Sequence, residues 1–246
     1  MKITQLIFLM GICGMFHLPS ASAQQMDSGL DFNFLLGVNL GATTPVPIPG
    51  DLKIRSYNPK FNPRMGANLT YYFNEHFGIG TGLMLDWKGM KVGTRVTDVH
   101  LSVDVPDVGT LTGYVTGKNT TKVSTLYLVQ PVYASWRFNP RWQLKGGIYL
   151  AEALSRSFKG NVRDVNILVE SPITQEREVS YATLNYGDHT RRFDLGLLAG
   201  TEFRMNDHIG FYADFTWGVI PYFSSEVPIR FTMRNIYFSL GMTYRL

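Results

Sequence analysis

Three short polar turns, at residues 74–76, 139–141 and 205–208, each join two stretches in which apolar residues recur at every second position. No turn this short joins those stretches at their other ends. The connections there run through residues 43–62, 89–121, 154–191 and 220–233. A period of two marks strands with two unlike faces. Short and long connections then alternate along the chain without exception. Soluble sandwiches rarely segregate their loops in this way. A barrel that crosses the outer membrane does, with short turns on one side and long loops on the other.

The faces make the same distinction. In the last stretch, Ile236, Phe238, Leu240, Met242, Tyr244 and Leu246 share one side, and Tyr237, Ser239, Gly241, Thr243 and Arg245 the other. Similar alternation occupies residues 33–41, 65–73, 78–87, 126–138, 142–150, 193–204 and 209–219. Each stretch is near the ~9–11 residues that a tilted strand needs to cross a bilayer. One face is large and apolar. The other carries Gly, Asn, Thr, Tyr and isolated charges. A soluble barrel would turn the apolar face inward; a membrane barrel turns it to lipid and fills a narrow lumen with the small polar face. The expected fold is therefore all-β: an eight-stranded antiparallel transmembrane β-barrel with short periplasmic turns and long extracellular loops. Aromatic residues such as Tyr71, Phe77, Trp136, Trp142, Phe203 and Tyr244 gather near the turn end, as interfacial girdles do.

The chain ahead of the barrel reads as an export signal. Lys2 precedes an apolar run from Leu6 to Phe16, and Ala21-Ser22-Ala23 forms an A-x-A site. Residues 1–23 are expected to be a signal peptide cleaved after Ala23, residues 24–32 a short periplasmic segment and residues 33–246 the barrel. The single cysteine, Cys13, lies in the signal, and Ile12 before it argues against lipid attachment. The mature chain then offers no disulfide, thiol nucleophile or cysteine-bound metal. The formal net charge is +4, and removing residues 1–23 takes away Lys2 and no acid, leaving +3. Basic residues are dispersed, so nucleic acid is not an expected partner.

Catalytic signals are sparse. His76 and His208 fall in short turns, and His100 and His189 in long loops, with no metal-ligand spacing among them. No cofactor and no metal are expected. His189, beside Asp188 and Thr190, is the one candidate for a lipid-modifying enzyme at the rim. A solvated loop histidine explains it more simply, so the chain is expected not to be an enzyme.

The inward charges are the candidate site. Asp86, Lys145, Asp194, Glu202, Arg204, Asp214 and Arg245 all fall on lumen-facing positions. They read either as a charged pore constriction or as a salt-bridged plug. An eight-strand lumen is about filled by its own side chains, and buried charges must pair, which favours the plug. Glu202 and Arg204 are expected to meet Lys145 or Arg245. Within the long loops, residues 94–105 with 110–116, and 162–171 with 177–184, alternate about turn sequences. They read as projecting hairpins whose edges would suit a protein partner, over 94–116 and 162–184. Residues 43–50, TTPVPIPG, read as a stiff irregular loop.

Ser239-x-Gly241-x-x-Tyr244-x-Leu246 resembles the terminal signal read by the outer-membrane insertion machinery. With FLLGVNLG (34–41) and YYFNEHFGIGTGL (71–83), it makes the mature chain similar to the small outer-membrane β-barrel proteins common in Bacteroidetes, the porin-family or PorT-like type. The resemblance implies an outer-membrane location, with membrane lipid and the insertion machinery as partners. The function expected first is a structural or interaction role. A narrow channel for small solutes comes second, then a secretion-system accessory, then the rim enzyme.

Overall fold

The structure is a computed structural model and describes residues 29–48, 50, 52–105, 109–169, 175–224 and 232–246. The expected signal peptide (1–23) and residues 24–28 lie outside the described residues, as do the expected hairpin tips at 106–108 and 170–174.

Among the described residues, ten strands form a single sheet: β1 (Gly29–Pro45), β2 (Leu52–Pro59), β3 (Pro63–Tyr72), β4 (Phe77–Val105), β5 (Gly109–Asn139), β6 (Trp142–Val169), β7 (Gln175–Asn185), β8 (Phe193–Arg204), β9 (Ile209–Gly218) and β10 (Met233–Arg245). All pairings are antiparallel. They run from β1 through β3, β4, β5, β6, β8, β9 and β10 and return to β1, so the sheet closes on itself. β2 and β7 pair with β4 and β6 beyond this circuit.

The described sheet holds ten strands where eight were expected, because two strands pair outside the closed circuit. β2 forms within the 43–62 connection, where no strand was expected, and β7 is the returning arm of the second projecting hairpin. β1 also begins at Gly29, inside the segment expected to precede the barrel, and carries on to Pro45. The largest difference is length. β4, β5 and β6 hold 29, 31 and 28 residues, because the wall strands and the projecting hairpins are continuous. Nothing between Lys88 and Thr97 breaks the strand, and Val92, Thr94, Val96 and Thr97 favour it.

The three short turns share one device. Asn74 Oδ1 accepts from the backbone N–H groups of His76 (2.9 Å) and Phe77 (2.8 Å). Asn139 Oδ1 accepts from Arg141 (2.9 Å) and Trp142 (2.8 Å). Asn206 Oδ1 accepts from His208 (3.0 Å) and Ile209 (2.7 Å). An asparagine that bonds its own backbone two residues on imitates a turn, which fixes the reversal in few residues.

The outward face is apolar and uncovered. Phe34, Leu36, Ile79, Leu144, Leu197, Phe215, Leu240 and Met242 are all exposed. A band of this size around a closed sheet is compatible with lipid and not with water. At the turn end, Phe77 stacks on Trp136 at 6.4 Å, Trp142 packs on Phe203 at 4.9 Å and His208 on Tyr244 at 5.9 Å.

The inward face is built of tyrosines lying against glycines. A Cβ on Gly80 would strike the Tyr133 ring, one on Gly196 the Tyr149 ring, and one on Gly37 or Gly241 would strike Tyr212. The glycines give the rings room to lie against the wall.

Beyond the circuit, the long strands curl together. Thr183 of β7 stands opposite Asp104 of β4. Tyr186 donates from its hydroxyl to the Ser102 carbonyl at 2.6 Å and accepts from the Ser102 N–H at 3.1 Å. Val103, Val115, Val162, Ile167 and Ala182 are fully buried inside this projection. Its interior is therefore a second apolar core, separate from the tyrosine-rich lumen.

Candidate functional site

The lumen of the closed circuit holds the charges in layers. The register of the strands decides which groups meet, because side chains opposite each other across neighbouring strands are the ones within reach.

The first layer lies at the turn end. Asp31, buried on β1, receives Arg137 Nη2 at 2.6 Å, Arg245 Nε at 3.0 Å and Arg204 Nη2 at 3.4 Å. Asn33 Nδ2 donates to the same carboxylate at 2.9 Å. The Arg137 guanidinium also lies over the Tyr72 ring, 3.3 Å from its centroid. Tyr72 donates to Gln143 Oε1 at 2.7 Å, and Gln143 Nε2 donates to Glu202 Oε2 at 2.9 Å. Thr243 Oγ1 donates to the other Glu202 oxygen at 2.9 Å.

The second layer spans the middle of the lumen. Lys145 Nζ meets Asp214 Oδ1 at 2.9 Å, and Arg64 Nη1 meets Asp214 Oδ2 at 3.2 Å. Arg64 Nε lies 3.3 Å from Asp86 Oδ1. Arg64, Asp86, Lys145 and Asp214 are all buried. The four groups cross the lumen from β3 and β4 to β6 and β9. The Tyr212 ring flanks both cations, 5.5 Å from Arg64 and 5.4 Å from Lys145.

The third layer is a caged cation. Lys88 is 2% exposed, and its ammonium lies 4.9 Å from the centroid of Tyr149 and 5.4 Å from those of Tyr127 and Tyr237. The ring faces attract a cation that has lost its water. Asp194 accepts from Tyr149 Oη and Asn235 Nδ2, both at 2.9 Å.

All seven lumen charges expected from the sequence line this interior, but the expected partners of Glu202 and Arg204 are corrected. Glu202 pairs in register with Gln143 and takes its hydrogen bonds from Gln143 and Thr243, while Lys145 acts on it as a neighbouring charge without a direct bond. Lys145 stands opposite Gly200, and Gly200 stands opposite Asp214. With no side chain at Gly200, the lysine reaches across to Asp214. Arg204 and Arg245 converge on Asp31 of β1.

Asp31, Arg64, Lys88 and Arg137 complete the network and were not foreseen. Each sits just beyond, or on the unassigned face of, a stretch already recognised. Arg64 precedes Met65, Lys88 follows Trp87, Asp31 keeps the parity of Asn33, and Arg137 opposes the Trp136 face. Carrying the period of two a residue or two further finds them.

The terminal motif divides between the faces. Ser239 is buried and donates to Asn39 Oδ1 at 2.6 Å, and Gly241 leaves room for Tyr212. Tyr244 and Leu246 are exposed on the outward side. His189 is exposed in the turn after β7, its ring 6.4 Å edge-on to Tyr186. Burial pushes the Tyr186 phenol up to about 12, which keeps its proton on the bond to Ser102.

The recess at the turn-end mouth, between Arg137, Arg141, Gln143, Glu202 and Arg204, measures about 10 Å³. That is about the least space that a single water requires.

Several solved structures are similar to the chain at low identity. The chain is similar to Ail, the attachment invasion locus protein of Yersinia pestis, at 12% identity over 90% of this chain and 100% of that one, with a TM-score of 0.33. It is similar to the outer membrane protein OprG from Pseudomonas aeruginosa at 12% identity over 90% and 99%, with a TM-score of 0.39. No curated protein sequence matches the chain. The model of the outer membrane protein beta-barrel domain matches residues 22–224. That match covers most of the chain and agrees with the closed sheet and its apolar outer band: the chain belongs to the outer membrane protein beta-barrel domain family and is a protein of the outer membrane.

Proposed function

We propose that the protein is a non-enzymatic outer-membrane barrel whose lumen is closed to solutes and whose projecting hairpins, over 94–116 and 162–184, engage a protein partner outside the cell. In this reading the eight-strand circuit spans the bilayer, with the short turns in the periplasm. The observation that carries it is the middle layer, where Arg64, Asp86, Lys145 and Asp214 join opposite walls within 3.3 Å. Opening a path there would strip paired charges of their partners, which costs several kcal/mol. At ~3.4 Å per residue, the 31 residues of β5 extend roughly 100 Å along the strand, far beyond a bilayer crossing. Most of that length is available for surface recognition.

Single-channel recording of the refolded protein in a planar bilayer tests the closed lumen. Wild type is expected to be silent, and Asp214→Ala to show brief openings, because Arg64 and Lys145 lose their shared carboxylate. Steady, ion-selective current through wild type would replace this reading with a narrow solute channel.

A further inference from the structure

The interior changes character above Lys88. Met90 is the next inward residue of β4, and from there Met90, Val96, Phe158, Leu184, Tyr186 and Met233 are buried together. They do not fill the space between them. A cavity of about 190 Å³ remains, walled almost wholly by carbon. Among its described lining residues there is no Asp, Glu, Lys or Arg. An ionic ligand has no counter-charge there.

Two polar atoms on this wall lack partners. Thr94 and Asn119 are 8% and 9% exposed, and both line the cavity. They are directly opposed across the β4–β5 ladder. Asn119 uses its amide nitrogen to donate to Thr121 Oγ1 at 2.9 Å. Its carbonyl oxygen and the Thr94 hydroxyl have no hydrogen-bond partner among the described residues. Buried acceptors left unpaired are unfavourable, and a ligand hydroxyl or N–H relieves them.

The cavity also has an entrance that avoids the plug. Beyond Val38, β1 is paired on one side with β10, but no described strand pairs with its other edge. β2 lies across the gap and pairs with β4 alone. Asn39 still bonds to Asn62 and Trp87 on that side; beyond it, among the described residues, Tyr57 spans the stretch, donating from its hydroxyl to the Gly41 carbonyl at 2.6 Å. Ile48, Ile54 and Tyr57 stand exposed at the gap and also line the cavity.

We infer that this cavity is a binding site for a small neutral molecule with an apolar, ring-sized body and one hydrogen-bond donor, held by Asn119 Oδ1 and Thr94 Oγ1. A cavity of ~150 Å³ with apolar walls is known to hold a benzene ring, which sets the scale. A mainly apolar wall with a few placed polar groups is the usual make-up of a small-molecule site. The inference does not depend on whether the lumen below conducts.

The test uses p-cresol and p-xylene, which differ by a hydroxyl in place of a methyl. The full-length mature protein, in dimyristoylphosphatidylcholine nanodiscs, carries ¹³C-methyl methionine. Met90 and Met233 report on the cavity, Met84 on the plug, and Met65 and Met242 on the lipid face. With p-cresol, the Met90 and Met233 signals are expected to shift and saturate while the other three do not saturate. p-Xylene should require about tenfold more ligand, after correction for its partition into the lipid. Thr94→Val and Asn119→Leu should each shrink that difference while leaving p-xylene binding in place. Heat-dependent gel mobility checks that each variant is folded, and the wild-type comparison stands without them. Three results would overturn the inference. The first is linear, unsaturated shifts at Met90 and Met233. The second is equal affinity for the two probes. The third is broadening of both signals by lipid spin-labelled at the chain end that p-cresol does not reverse, since an acyl chain would then be the occupant.

Discussion

A tyrosine lying against a glycine is the smallest repeated unit of this lumen. Tyr149 shows why it matters. Its ring lies against Gly196, its face meets Lys88 and its hydroxyl donates to Asp194. Gly196→Val would push the ring off the wall and disturb all three contacts at once. The expected loss is about 1–3 kcal/mol, as for other overpacked interiors, read from the denaturant midpoint of the folded barrel. Asp214→Ala should cost more, about 3–5 kcal/mol, because two buried cations lose one acceptor. Substituting Arg64 or Lys145 as well should recover part of that loss. The inward position of these groups was legible in the sequence, since parity alone places Asp86, Lys145 and Asp214 on one face. Their pairing was not. Lys145 reaches Asp214 only because Gly200 falls between them in register, and register is a relation among three strands that no local pattern carries.

The strands divide into a short-walled side and a long-walled side. β8, β9 and β10 hold 12, 10 and 13 residues, whereas β4, β5 and β6 each hold at least 28. The long side was legible as two hairpins, because the alternation in 94–116 and 162–184 continues beyond the membrane-length stretches. Their mutual packing was not, since it depends on the β5–β6 ladder that joins them side by side, Gly113 to Thr116 opposite Val169 to Asn166, and on closure by the bridge from Asp104 to Thr183 and the two bonds of Tyr186 to Ser102. The curled arrangement implies that the two hairpins stabilise one another. Trimming residues 97–116 alone would expose Val162, Ile167 and Ala182 and should promote aggregation during refolding. Trimming 164–182 as well should restore a folded, heat-modifiable barrel, because the circuit and its plug lie below both cuts. Refolding yield measured by gel mobility distinguishes the two truncations.

At the scale of the whole molecule, the short turns and the long strands lie at opposite ends of a closed wall. A membrane-impermeant maleimide should therefore label Thr110→Cys in intact cells and leave Asp207→Cys unlabelled until the outer membrane is opened. Labelling of both, or of Asp207→Cys alone, would reverse the proposed orientation. The wall itself is sealed by its first and last strands, joined through thirteen residue pairs between β1 and β10. The Ser239–Asn39 bond at this junction links residues 200 positions apart. Contacts that distant in sequence form slowly, because the chain must lose the freedom of the whole intervening loop before they give anything back. The junction is then a matter of timing as well as of architecture. Until residues 233–245 have been synthesised and docked, β1 keeps an unpaired edge, and the half-built sheet is open to pairing with the wrong neighbour.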